Sequence, residues 1–181
     1  MNQIIQLLSG LSLAHWVILV AGYGISVAGS IALFLRWFLR REFRLYQNLK
    51  RPVMIITPTD ERNAQIPGKE MRIERDMLAR NGFLRMHNGL SDYRSFNPNN
   101  RHCVLVLGYD QKMSGLDDVL TKVKNLQIPL IVYTYGENNA LSAEHRQKFE
   151  SYPLTIFANF QLTLMNHIFS TLAVYPYDDK K

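Results

Sequence analysis

Four short polar groups in this chain of 181 residues could do ligand chemistry, and each directly follows an apolar run. The first is Thr57, Thr59, Asp60, Arg62 and Asn63; the second is Gly108 and Tyr109 with Asp110; the third is Tyr135 between Thr134 and Gly136; the fourth is Asn159 after Ala158. Arg62 offers a guanidinium that pairs with phosphate through two parallel hydrogen bonds. Tyr109 and Tyr135 offer faces on which a nucleobase stacks. The hydroxyls, the amides and the glycine backbone complete a cradle for a phosphate or a base. A second reading competes, in which Thr, Asp and Asn at such places cap helices and turns.

Other chemistries find less support. Neither GxGxxG nor GxxxxGK[ST] follows an apolar run, and the first run ends in a proline-bearing loop, so no dinucleotide fingerprint or P-loop is present. The single cysteine, Cys103, lies inside an apolar run and reads as a buried filler. It also excludes a disulfide scaffold. His87, His102, His145 and His167 are not paired at i, i+4, so no metal is expected and no cofactor is implied. Asp117 and Asp118 are adjacent, and adjacent helical positions diverge, which suits a solvated first turn better than an acid–base pair. No catalytic residue is assigned.

The elements that must position these groups are legible from periodicity. Apolar runs at Val53–Thr57, Phe83–Met86, His102–Leu107, Pro129–Tyr133 and Leu154–Phe157 predict five strands. Amphipathic stretches at 69–80, 116–126, 142–150 and 161–174 predict helices, the first stopped by Asn81-Gly82. Alternation of this kind implies an α/β fold, a Rossmann-like three-layer domain over 52–176. Its mainly parallel five-stranded sheet takes the order 2-1-3-4-5, with right-handed crossovers. Ligands bind such sheets beyond the carboxyl ends of the strands, where the four polar groups fall. The tail 177–181 is expected to fray.

Charge divides the chain unevenly. Residues 1–35 carry no Lys, Arg, Asp or Glu, residues 36–51 carry six bases against Glu42, and the remaining residues hold 15 bases and 14 acids. The net charge of +6 therefore belongs to one short segment, which excludes a dedicated DNA-binding face. Residues 1–38 read as a membrane segment with one span at about 15–35, long enough as a helix to cross the roughly 30 Å hydrocarbon layer. Ile4–Leu8 extends it along the interface, and 39–51 form a basic juxtamembrane helix or linker. Because the bases follow the apolar run, the segment is a retained anchor and not a cleaved signal. The same asymmetry places the C-terminal domain in the cytoplasm, on a single pass through the cell inner membrane. Trp16 and Trp37 suit the two interfaces, and the bases from Arg36 to Arg51 suit anionic headgroups of the lipid bilayer. Two rows of small residues, Gly22, Ser26, Ser30 and Gly24, Ala28, Ala32, predict self-association of the span into a homo-oligomer. A hairpin turning at Ala21–Gly24 is the alternative to one span.

An N-terminal membrane helix ahead of a small Rossmann-like domain without a P-loop resembles membrane-anchored prokaryotic antiviral effectors. Among these are the CRISPR-associated membrane protein with a CARF domain and other sensors of cyclic oligoadenylate. In CARF domains a polar loop after the first strand holds the ligand, and Pro52–Asn63 resembles it. The resemblance implies a cytosolic domain that senses a nucleotide second messenger, and spans that oligomerise to perturb the membrane. A TIR domain is also similar. Its third strand and following helix correspond to Val104–Leu107 and Ser114–Asp118, with Asp117 or Asp118 where NAD-cleaving members carry a glutamate. That likeness implies a tethered NAD hydrolase, or a non-catalytic membrane-bound interaction domain.

Overall fold

The computed structural model describes residues 12–62, 64–87, 92, 93, 96, 103–137 and 141–175. Ile4–Leu8, Asn63, His102 and the tail 177–181 lie outside them. The chain forms two compact units, residues 1–44 and 45–181.

The first unit is dominated by helix α1, Leu13–Leu49, which continues into the second. This helix is long and apolar enough to cross a membrane. It runs unbroken through Ala21–Gly24, so the hairpin alternative does not form. Gly22 and Gly24 would each cost a helix about 1 kcal/mol relative to alanine in water. A helix in hydrocarbon tolerates such glycines, because its backbone groups would have no other partner there. Both small-residue rows lie on this one exposed helix.

In the second unit the five strands are β1 (Pro52–Ile56), β2 (Arg85–Met86), β3 (Val104–Gly108), β4 (Leu130–Tyr133) and β5 (Thr155–Ala158). All pair in parallel in the order β2-β1-β3-β4-β5, with Ile55 opposite Val106 and Val106 opposite Ile131. The helices are α2 (Arg72–Arg80), α3 (Leu116–Leu126), α4 (Ala143–Glu150) and α5 (Gln161–Val174). Successive strand residues point to opposite faces, and both faces are covered, so both alternating sets are apolar. Leu105, Leu107, Leu130 and Val132 pack with Val119, Val123 and Phe149 of α3 and α4. Val104, Val106, Ile131 and Tyr133 pack with Leu78 of α2 and Leu164, Ile168 and Leu172 of α5. The α/β fold, its parallel sheet and its strand order match the reading of the sequence.

The boundaries differ where local backbone intervenes. The first amphipathic stretch becomes helical only at Arg72, because Gly68 and Met71 adopt positive φ of 79° and 57°. The second strand contracts to two residues: Gly82 turns the chain at φ 70° and Phe83 projects outward, 73 % exposed. Ser142 is the N-cap of α4, its hydroxyl accepting from the His145 N–H, and not the first helical residue.

Arg51 departs from its expected place at the lipid surface. It is 2 % exposed, and its guanidinium donates to the carbonyls of Asn48 (3.3 Å), Leu172 (3.0 Å) and Tyr175. The last carbonyls of a helix have no partner within it and carry negative partial charge. Arg51 therefore caps the C-terminus of α5 in the interior of the domain.

Candidate functional site at the strand ends

The loop leaving β1 turns on its own side chains. Asp60 Oδ1 accepts from the backbone N–H groups of Arg62 (2.9 Å) and Ala64 (2.8 Å), which closes an Asx turn. The Asp60 carbonyl accepts from Ser114 Oγ at 2.9 Å, and the Thr59 carbonyl accepts from Ser114 N at 2.9 Å. Thr57 and Thr59 are buried beneath this turn, and Arg62 is exposed at its tip. The Thr59 hydroxyl is buried without a hydrogen-bond partner among the described residues. Asp60 thus serves the turn, as the capping reading has it, while Thr59 keeps an unused hydroxyl.

The same loop returns to the sheet at Lys69, which carries no local signal in the sequence. Its ammonium lies 2.7 Å from Asp110 Oδ2, at the end of β3, and 3.0 Å from Glu137 Oε1, beyond β4. Its carbonyl accepts from the Tyr135 hydroxyl at 2.8 Å. The loop after β1 is thereby fastened across the ends of β3 and β4, one strand beyond the β1–β3 switch point in strand order. Burial alone would lower the Lys69 pKa, but the two carboxylate hydrogen bonds outweigh it and raise the value. Burial would raise the Asp110 pKa, but Lys69 and the Lys112 N–H at 2.8 Å hold it below the usual carboxylate range.

These shifts set a pH window. A depressed Asp110 contributes stability above its unfolded value of about 3.9, and that contribution fades as pH falls through the lower folded value. A raised Lys69 contributes below about 10.4 and fades above it. Replacing Asp110 by Asn should therefore cost about 1 kcal/mol near neutrality, the scale of a partly exposed ion pair. The difference should shrink as pH drops below about 4. Thermal unfolding of both proteins in detergent across pH 2.5 to 8 checks this, and a difference independent of pH would contradict it.

The aromatic residues divide. Tyr135 adopts φ 56° and lies against Tyr133, ring centroids 4.8 Å apart, with the Lys69 ammonium 5.5 Å from its ring. Burial, reinforced by Glu74, raises the hydroxyl pKa of Tyr135 and pushes that of Tyr133 up to about 12. Glu74 is itself buried, accepting from the Tyr133 hydroxyl (3.2 Å) and from Gln161 Nε2 (3.3 Å). Tyr109 is fully buried on the other side of the sheet. Its ring meets Phe149 edge-on and its hydroxyl lies 2.6 Å from His145 Nδ1, so its faces belong to the core and not to a stacking surface. Gly108 lies beneath Tyr135 and Pro58, where a Cβ would collide with both. Asn159 Oδ1 accepts from Thr134 Oγ1 at 2.9 Å and ties the ends of β4 and β5 together.

The carboxyl edge of the sheet therefore carries Thr57, Thr59, Asp60, Arg62, Gly108, Tyr135 and Asn159, and the ion-paired Lys69 bridges the ends of β3 and β4 there. Away from this edge, Asp117 and Asp118 occupy the first turn of α3, where Asp117 lies 3.1 Å from Lys148. Cys103 is buried, and burial pushes its thiol to about 11, which removes it as a nucleophile near neutral pH. No group of three His, Cys, Asp or Glu suited to a metal ion occurs among the described residues. Comparison with known protein families, curated proteins and solved structures finds no match to this chain.

Proposed function

We propose that this chain is a membrane-anchored effector whose cytosolic domain senses a nucleotide second messenger of the cyclic oligoadenylate type. Its spans oligomerise in response and perturb the inner membrane in antiviral defence. The observation that carries the ligand reading is Lys69, a cation across the ends of β3 and β4 held 2.7 and 3.0 Å from two carboxylates. A phosphate entering there takes the ammonium from Asp110 and Glu137 and frees two acceptors for ribose hydroxyls. Arg62, at the tip of the same loop, supplies a second cation. The anchor reading rests on α1 and on the bases that follow its apolar run, which favour a cytosolic domain. For a hydrolase, Asp117 would have to leave Lys148, while Asp118, the other candidate, lines a surface hollow with Tyr93, Thr121 and Lys122.

Isothermal titration of the full chain in detergent with cyclic oligoadenylates, and separately with NAD, tests the proposal. Arg62→Ala should weaken oligoadenylate binding by about 1.5–3 kcal/mol, the range for hydrogen bonds to a charged group. Lys69→Met should weaken it by at least as much. If neither ligand binds the native protein, the sensing role fails. Unchanged affinity in both variants would remove the ligand from the strand ends.

A further inference from the structure

From Ser151 to Tyr177 the chain runs for 27 residues without Lys, Arg, Asp or Glu, although charged residues make up 20 % of the whole. This stretch includes β5 and all of α5. Inward-facing residues explain only part of it, since Phe160, Leu162 and Val174 are 59, 69 and 82 % exposed. A solvated helix of 14 residues ordinarily carries charge on its outer face.

The placement of this neutral surface is specific. β5 ends the sheet, and among the described residues no strand lies on its outer side. The carbonyls of Leu154 and Ala158 accept from Leu130 N and Thr134 N of the β4 side, so by alternation Phe157 turns its N–H and C=O outward. The opposite edge is built differently, because β2 is two residues long and contains Arg85, with Arg80 at the end of the preceding helix. Very short, charged edges resist pairing, whereas a neutral edge such as the four-residue β5 lacks that protection. Along α5, Gln161 and Met165 contact α2 through Glu74 and Asn81. At 3.6 residues per turn, Thr163, His167, Ser170 and Val174 form the flank on the opposite side, toward the β5 edge.

We infer that β5 and α5 form a two-fold interface between cytosolic domains, β5 pairing antiparallel with β5 of a second copy and the outer flanks of α5 meeting beside it. The edge itself selects an extended strand as its partner. A two-fold axis brings each side chain near its own copy, so a charged face would repel itself and a neutral one does not. A lipid surface is the poorer occupant, because interfacial helices carry Lys and Arg on their flanks and none occurs here. This interface is separate from the small-residue rows of α1 and does not depend on the ligand reading.

The test uses the full chain in anionic liposomes, with Ser170→Cys and a bis-maleimide spanning about 8–10 Å, the usual distance between packed helices. Thr121→Cys, exposed on α3, reports random encounter, and the parent protein with only buried Cys103 gives the background. Cross-linked dimer should form several-fold more at Ser170→Cys than at Thr121→Cys. Adding Val174→Glu should reduce it roughly tenfold through like-charge repulsion, with the melting temperature retained. Equal cross-linking at the two positions would overturn the interface, as would insensitivity to Val174→Glu. Lipid-dependent protection of the Ser170→Cys thiol from soluble maleimide would assign the face to the bilayer and overturn it as well.

Discussion

Replacing Arg51 with alanine should lower the melting temperature of the protein by on the order of 10 °C. The guanidinium donates to three carbonyls, those of Asn48, Leu172 and Tyr175, and its side chain is 2 % exposed. Hydrogen bonds to a charged group are worth about 1.5–3 kcal/mol, and a buried acceptor left without a donor costs about 1–3 kcal/mol more. The contact to Tyr175 is only partly buried and its carbonyl can turn to solvent, so a net loss of about 3 kcal/mol is expected. For a domain of this size that corresponds to roughly 10 °C. Lysine at the same position keeps the charge but not the planar fork, and should restore less than half of the loss. Differential scanning fluorimetry of the full chain in detergent distinguishes these outcomes. If alanine melts at the native temperature, the fork is not what holds the first residues of the domain to its last helix.

Arg51 also shows where the sequence ceases to be legible. Its partner carbonyl at Leu172 lies 121 residues away. In the sequence Arg51 is one more base in a basic segment, and only the folded domain separates it from Arg36 and Arg40, which stay exposed on α1. The central strands are legible because a parallel sheet covered on both faces needs unbroken apolar runs, and Val53–Ile56, Val104–Leu107 and Leu130–Tyr133 supply them. α3 and α5 are legible to the residue, since Leu116, Leu120 and Val123, and Leu164, Ile168 and Leu172, recur at helical spacing. β2 is obscured by Gly82, whose backbone delays pairing until Arg85.

The site is legible in outline only. Strand-end loops can be located from the runs that precede them, so Thr57–Arg62, Gly108, Tyr135 and Asn159 each sit at or just beyond the end of a strand. What each does depends on which way the chain turns next. Tyr109 and Tyr135 each closely follow an apolar strand, yet Tyr109 packs on Phe149 while Tyr135 reaches over β3 to the Lys69 carbonyl. Lys69 comes to Asp110 and Glu137 only through the long loop after β1, and no local pattern connects the three.

That bridge depends on the absence of a side chain at Gly108. A Cβ built there would overlap the Tyr135 hydroxyl, and would stand 2.9 Å from Pro58 Cδ and 3.1 Å from Met71 Cγ. The glycine is therefore required for space at the end of β3, where Tyr135 crosses it to reach Lys69. Gly108→Val should destabilise the protein by about 3 kcal/mol, at the upper end of overpacking costs. The first group displaced is the Tyr135 ring, which releases the Lys69 carbonyl and loosens the loop after β1. Tyr135→Phe alone removes one hydrogen bond, at a cost of about 1 kcal/mol. It also vacates the space that a smaller Cβ needs, so Gly108→Ala should cost less in the Tyr135→Phe background than in the native one. The double-mutant cycle should show coupling of about 1 kcal/mol, as expected for groups in contact. Denaturant unfolding of the four proteins measures it. Strictly additive losses would mean that Pro58 and Met71 set the spatial limit at Gly108, and that the tyrosine crosses the strand end without depending on it.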